Sequence, residues 1–172
     1  MLSLSDNEFS VISFLVRNFT ERLTIRNIAQ RLDFSAAGVF NILKKLEKQG
    51  IVVGEKLGTG LFYSMNFDNR IAEHLAAIVL VYSEEKISIN IEQLKQAKSA
   101  IFDKKNLLLV TDSMTLLNIS IPNINIIAKT EEEVAGLLKK RDQETLQLLK
   151  KGIVLLGEDK FVEIIKNCIS RF

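Results

Sequence analysis

Apolar positions at helical spacing, separated by short polar breaks, dominate the first fifty residues of the chain. Ser5 stands three residues before Glu8, which is the spacing of a helix-capping box. Thr24 and Ser35 precede two further apolar stretches and are placed to cap two more helices. Gly50 follows the third stretch, where a left-handed C-cap residue is favoured. The pattern therefore predicts three consecutive amphipathic helices.

The third of these helices has two contrasting faces. Four apolar side chains fall at i, i+3, i+4 and i+7 and are expected to face a core: Val39, Ile42, Leu43 and Leu46. The opposite face begins with small and polar residues and ends with two lysines. A helix that enters the major groove, about 12 Å wide, needs slim side chains near the base edges and cations further along for phosphates.

A β-hairpin is predicted directly after the third helix. Two short strands, residues 51–56 and 61–66, flank a turn at Gly58-Thr59-Gly60. Such a hairpin after three helices forms a wing. Lys56 and Thr59 then lie where a wing touches the DNA backbone or the minor groove.

This order of elements, with the string LTIRNIAQRLDFSAAGVFNILKKLEKQGIV, resembles the winged-helix regulators of the MarR and ArsR type. The resemblance implies double-stranded DNA as the partner and places the base-contacting residues on the third helix. It nominates these residues for DNA binding: Thr24, Arg26, Ser35, Ala36, Ala37, Gly38, Phe40, Asn41, Lys44, Lys45, Lys56 and Thr59. Gly38 replaces the Ser or Thr that is more frequent there, so weak base recognition is expected. A winged helix can also dock onto another protein, and that alternative stays open.

After Asn69 the pattern changes to helices that alternate with short strands. Helices are predicted for RIAEHLAAIVLVYSEEK, IEQLKQAKSA, TEEEVAGLLKKR and DQETLQLLKK and for residues 158–170, and strands for SAIF, NLLLVTD, INIIAK and IVLL. Such alternation implies an α/β layer. We therefore predict an α+β protein with a winged helix-turn-helix in residues 1–68, connecting helices in 69–100 and a small α/β domain in 101–172.

The run from INIIAK to KGIVLLGEDKFVEIIK resembles the C-terminal part of small nucleotidyltransferase-fold proteins. Active members carry a Gly-Ser pair after the first strand and a D-x-D on the second, which hold phosphates and metal ions. The corresponding string here is AIFDKKNLLLV, with Lys104 and Asn106 at the acidic positions. The resemblance thus implies a truncated, degenerate domain that is no enzyme and needs no metal or other cofactor. A nucleotide- or ligand-sensing role is the alternative.

Composition narrows the class of protein. Hydrophobic residues make up 47% and charged residues 26%, an ordinary globular balance. No apolar run approaches the roughly 18 residues of a membrane span, and the N-terminus lacks a signal-peptide pattern. We therefore expect a cytoplasmic protein without a membrane partner.

The net charge of +2 neither requires nor excludes a nucleic-acid partner. Residues 24–60 carry six Lys or Arg against three Asp or Glu, so the positive charge is concentrated in this segment.

Two lone residues carry no chemistry by themselves. His74 is the one histidine and Cys168 the one cysteine, and we expect packing or surface roles for both.

The apolar helix that contains His74 is a candidate for association between two copies of the chain. We expect a homodimer, since two half-sites supply the specificity that one recognition helix lacks. The side chains expected at that interface are Ala76, Val79 and Leu80.

Overall fold

The computed structural model describes residues 3–83, 89–112 and 119–169. Internal contacts divide the chain into two compact units, Met1–Val79 and Leu80–Phe172. Both units combine α and β structure, so the predicted mixed composition is confirmed. In the first unit the helices are α1 (Asp6–Arg17), α2 (Ile25–Leu32) and α3 (Ala36–Lys48), the strands are β1 (Val52–Leu57) and β2 (Gly60–Met65), and α4 (Arg70–Val81) follows.

Each of the first three helices begins at its predicted cap. The side chains of Ser5, Thr24 and Ser35 all accept a hydrogen bond from the main-chain N–H three residues later. At Ser5 the capping box is complete, because the Glu8 carboxylate accepts the Ser5 N–H at 2.9 Å. These caps satisfy main-chain donors that a helix start would otherwise leave unpaired, which is why the chain turns into a helix at these positions.

The wing is an antiparallel hairpin in which Val52 pairs with Met65 and Leu57 pairs with Gly60. Gly58 adopts a φ of 60°, a left-handed conformation that the tight turn requires and that glycine adopts without strain. The hairpin is joined to the helices through Tyr63, whose N–H donates to the Leu23 carbonyl at 2.8 Å. The wing therefore has a fixed place beside the three-helix core.

The core of the first unit draws on all three helices and both strands. Its fully or almost fully buried apolar side chains include Val11, Ile12, Val16, Ile28, Val39, Leu43, Leu46, Ile51 and Val52. The predicted inner face of α3 is thus confirmed for three of its four residues. Ile42 is only half-buried, because it lies at the margin of the buried face.

The second unit contains a four-stranded sheet in the order β5-β4-β3-β6. The strands are β3 (Ser99–Phe102), β4 (Asn106–Val110), β5 (Asn125–Lys129) and β6 (Ile153–Leu156), and the helices are α5 (Glu131–Lys139), α6 (Gln143–Lys151) and α7 (Glu158–Ile169). β3 pairs antiparallel with both β4 and β6, whereas β4 and β5 are parallel. All four strands coincide with the predicted apolar runs.

The predicted helix over IEQLKQAKSA is wrong. Only Ile91–Leu94 form a short 3-10 turn, and the chain then enters β3 at Ser99. Leu94 and Ala97 pack in an apolar cluster with residues of β3 and β4. Lys98 already donates its main-chain N–H to Val110 at 2.8 Å. Cross-strand pairing of this kind competes with the helical pattern and prevails here. The predicted ends of two other helices, at residues 84–86 and 170, lie outside the described residues.

Candidate nucleic-acid interface

The face of α3 that points away from the core is the candidate DNA-contacting surface. Val39, Leu43 and Leu46 are completely buried on the opposite side of this helix. The residues on the outer face are exposed, except for the half-buried Gly38. They are Ser35, Ala36, Ala37, Phe40, Asn41, Lys44 and Lys45. The structure thus brings together the side chains that the sequence nominates on this helix; contact with DNA stays a prediction.

The start of this face offers few free polar groups. The Ser35 hydroxyl accepts the Gly38 N–H at 3.0 Å as the helix cap. A Cβ added at Gly38 would lie 2.9 Å from that hydroxyl oxygen, so a larger side chain would crowd the cap. The sequence by itself indicates only that Gly38 weakens base recognition. The close approach of position 38 to the Ser35 hydroxyl gives a structural reason for glycine at this position.

The two lysines at the end of the face are both engaged in ion pairs. Lys44 lies 2.7 Å from Glu47, one turn further along α3. Lys45 lies 2.6 Å from Glu8 of α1. Both pairs neutralise charge on the surface that would meet phosphates. The pKa of Lys44 is raised, first by its hydrogen bond to Glu47.

Glu8 is a site residue that sequence reasoning missed. Only 7% of its side chain is exposed, whereas 47% of the Lys45 side chain is. The hydrogen bond from Lys45 lowers the pKa of the Glu8 carboxyl, and the bonds from Ser5 lower it further against the opposing effect of burial. The sequence signal pointed to the capping box alone, because residues 8 and 45 are far apart in the chain.

Two side chains of the outer face remain uncommitted. Phe40 is 44% exposed, so its phenyl ring is accessible on the outer face of the helix. The Asn41 side chain is exposed and has no hydrogen-bond partner among residues 3–83. Phe40 and Asn41 therefore present an apolar ring and a free amide to a partner that binds this face.

The remaining nominated residues flank α3. The Thr24 hydroxyl is occupied, since it accepts the Asn27 N–H and donates to the Asn27 side chain at 2.7 Å. Arg26 is exposed at the start of α2, and Lys56 and Thr59 are exposed on the wing. Within the described part of the chain, neither Arg26 nor Lys56 has an acidic group within ion-pair distance. Their charges are free to attract phosphate.

In the second unit, the turn between β3 and β4 forms a hydrogen-bonded corner around Asp103. The Asp103 carboxylate accepts the main-chain N–H groups of Lys105 at 3.2 Å and Asn106 at 2.8 Å. The Asn106 amide donates to the same carboxylate and accepts from Asn125 at 3.1 Å. Lys104 sits in the tight turn with a φ of 75°. The polar groups of this corner thus satisfy one another.

A cavity of about 160 Å³ lies between the sheet and the helices of the same unit. Its apolar wall includes Leu108, Ile127 and Leu148, and Lys129 and Asp142 also line it. The Asp142 carboxylate caps α6, and its hydrogen bonds from Thr145 lower its pKa.

The two lone residues lie where they were expected. His74 is exposed on α4, and Cys168 is buried in α7. Among residues 3–83, 89–112 and 119–169 no group of three or more His, Cys, Asp or Glu is placed to hold a metal ion. No helix in that part of the chain is both long and apolar enough to cross a membrane.

Comparison with known proteins supports the assignment of the first unit. The family model described as MarR family matches residues 2–59, about a third of the chain. No curated protein matches the chain. The match does not extend into the second unit, so the resemblance to nucleotidyltransferases is not confirmed. The MarR family indicates DNA binding and regulation of transcription, and residues 2–59 of this chain are a winged-helix domain of that family.

Proposed function

We propose that the protein binds specific sequences of double-stranded DNA through α3 and the wing and thereby regulates transcription. The observation that carries the proposal is the exposed outer face of α3, which begins with slim side chains and ends with Lys44 and Lys45. Arg26 and Lys56, which have no ion-pair partner in the described part of the chain, add attraction for phosphates. Such a regulator works in the compartment that holds the genome, in accord with the cytoplasmic location expected from the sequence.

Selection of bound sequences from a pool of random duplexes tests the proposal directly. We expect enrichment of a common sequence, and an affinity that falls steeply with salt as phosphate contacts release counterions. The Lys44–Glu47 pair is exposed on both sides, so Lys44 can exchange Glu47 for a phosphate when DNA binds, and Lys44→Ala should then lower the slope of log K against log salt by up to about 0.9. Lys160→Ala is the matched control, because Lys160 also pairs with a glutamate three residues later, at 2.9 Å, on a helix of the second unit.

A rival function, docking of the winged helix onto another protein, makes the opposite prediction. The absence of both an enriched sequence and any duplex binding that weakens with salt would overturn DNA binding and favour the rival. An apolar docking face depends little on ionic strength, because salt screens charges and leaves apolar contacts intact.

We also propose that the protein acts as a homodimer on two half-sites of a pseudo-palindrome. The predicted interface must be revised, since Ala76, Val79 and Leu80 are buried within the folded chain. α4 instead exposes Ile71 and Ile78, seven residues apart on the same side of the helix. The apolarity of a helix shows that one face is packed, but it does not distinguish a face packed inside the chain from one left exposed.

Sedimentation velocity at micromolar concentration tests the dimer. Ile78→Glu should convert a dimer to a monomer that retains its fold and binds a full site more weakly. Ile91→Glu serves as the control, because Ile91 is equally exposed but lies outside α4. A wild-type protein that sediments as a monomer would refute the dimer. Leu80→Glu is unsuitable, because it would place a charge at a buried position.

For the second unit we propose a degenerate domain without nucleotidyl transfer. The supporting observation is the turn between β3 and β4, where Lys104 and Asn106 stand at the positions that paired carboxylates hold in active nucleotidyltransferases, and the Asn106 amide is hydrogen-bonded to Asp103. The cavity beside Lys129 supports the alternative role, the sensing of a ligand. The volume of this cavity lies below the roughly 300–1,000 Å³ of typical ligand pockets.

Two measurements separate these possibilities. We expect no transfer of labelled nucleotide to protein, DNA or RNA in the presence of Mg²⁺ or Mn²⁺, and no shift of the melting temperature with ATP and Mg²⁺. Transfer of label would refute the loss of chemistry. A melting shift without transfer, abolished by Lys129→Ala, would favour nucleotide sensing.

A further inference from the structure

The base pairs that α3 can recognise depend on which of its exposed side chains are not already held by other groups of the protein. The polar groups near the start of the outer face are committed, because the Ser35 hydroxyl caps the helix. The polar groups at its end are committed too, since Lys44 and Lys45 are held by Glu47 and Glu8. A base-contacting role is therefore left to the residues between them.

The uncommitted residues form two neighbouring columns along the helix. Residues four apart lie above one another on a helix surface, so Ala36 and Phe40 form one column and Ala37 and Asn41 form the next. The first column is wholly apolar and ends in a phenyl ring that is 44% exposed. The second ends in a free carboxamide. The face thus pairs an apolar strip with one donor and acceptor group.

Base pairs differ in how well they match this combination. In the major groove an A·T pair displays the thymine methyl group together with the N6 donor and N7 acceptor of adenine. Alanine and phenylalanine side chains make apolar contact with the methyl group, and asparagine pairs bidentately with adenine. A G·C pair lacks the methyl group and favours arginine or lysine, and the two lysines of this face are paired with carboxylates.

We infer that α3 selects A·T base pairs in the major groove, with Phe40 packing against a thymine methyl group and Asn41 binding an adenine of the same or an adjacent pair. This inference rests on the proposed DNA binding and adds to it the determinant of specificity. Exposure of the phenyl ring in the free protein, which is unfavourable in water, is relieved when the ring covers the methyl group.

Replacement of thymine by deoxyuridine in the selected duplex tests the role of Phe40, because it removes the methyl group and leaves pairing and charge unchanged. We expect wild-type affinity to fall about fourfold for each contacted methyl, the equivalent of roughly 0.8 kcal/mol for a buried CH₂-sized group. Phe40→Ala should bind the thymine duplex more weakly and respond to the replacement by less than twofold. Phe40→Leu should retain part of the response, since it keeps an apolar contact.

The role of Asn41 has its own test. Replacement of adenine by 7-deazaadenine removes the N7 acceptor alone. We expect wild-type affinity to fall about fivefold or more at the contacted position, since a bidentate pair discriminates by about 1–3 kcal/mol. The affinity of Asn41→Ala should be the same for the adenine and the 7-deazaadenine duplex. Ile91→Ala is the control in both tests, because Ile91 is exposed to a similar degree in the second unit.

The outcomes separate this inference from the proposed function. Specific binding that is insensitive to thymine methyl groups and to adenine N7, or a selected half-site without A·T pairs, overturns the inference and leaves DNA binding intact. An equal loss for the thymine and uracil duplexes in Phe40→Ala assigns Phe40 a merely structural role and also overturns it. Absence of any sequence preference in the wild type overturns the proposed function itself.

Discussion

Glu8→Gln is expected to lower the stability of the protein and to raise its affinity for DNA. Glutamine can still accept the Ser5 N–H, so the capping box survives, but the ion pair between Glu8 and Lys45 is lost. Hydrogen bonds to charged groups contribute about 1.5–3 kcal/mol. Because nearly half of the Lys45 side chain is exposed and can return to water, we place the loss at the lower end, about 1.5 kcal/mol.

The same change should strengthen DNA binding, since it frees a cation on the outer face of α3. One added phosphate contact steepens the slope of log K against log salt by about 0.9 and is equivalent to roughly eightfold in affinity at 0.1 M salt. The two effects have opposite signs, which a general disturbance of the fold would not produce. Unfolding in urea, followed by circular dichroism, measures the first, and fluorescence anisotropy of a labelled duplex between 50 and 200 mM salt measures the second.

Glu47→Gln is the matched control for the effect of Glu8→Gln on stability. Its partner Lys44 forms an exposed pair within α3, and exposed pairs contribute little to stability. We therefore expect an almost unchanged unfolding midpoint. The reasoning is refuted if Glu8→Gln leaves the salt slope unaltered, or if its DNA affinity falls together with its stability.

The pH dependence of stability offers a second check on Glu8. Its pKa in the folded protein is lowered by Lys45, so its contribution is complete above the unfolded pKa of about 4.3 for glutamate. That contribution is lost as the pH falls through the folded value. The difference in unfolding free energy between wild type and Glu8→Gln should therefore shrink on acidification from pH 6 to pH 3. A constant difference would contradict the assigned cause.

Three further predictions concern the fold. Gly157→Ala should lower the free energy of unfolding by more than about 3 kcal/mol, because φ is 70° and a Cβ would lie 2.2 Å from a main-chain oxygen. Gly136→Ala should raise it by up to about 1 kcal/mol, because Gly136 lies on α5 with open space around it. Leu43→Ala should cost about 2–5 kcal/mol, since Leu43 is completely buried. Asp142→Ala should cost about 0.5–2 kcal/mol through loss of the α6 cap, with Glu144→Ala near zero as its control. Urea denaturation measures all of them, and a reversed order within either pair would contradict the contacts described.

Much of the local structure was predictable from the sequence, because its causes act over three or four residues. The caps at Ser5, Thr24 and Ser35 depend on a side chain and a main-chain N–H three positions away. The turn of the wing depends on the left-handed conformation that Gly58 adopts easily. The buried face of α3 follows from the helical period. These features predicted the winged helix before any contact between the elements was known.

Contacts between distant residues decided the rest. Glu8 meets Lys45 across two helices, and no periodicity in the sequence links positions 8 and 45. The segment around Leu94 has a helical pattern of residues, yet cross-strand hydrogen bonds and a shared apolar cluster draw it toward the sheet. An apolar stretch such as that of α4 shows that some face is buried, but only the packing determines which. The sequence therefore determined the elements and their caps, whereas the tertiary structure determined which charges on α3 are neutralised and that Phe40 and Asn41 remain free, because pairing and burial depend on groups that only the fold brings together.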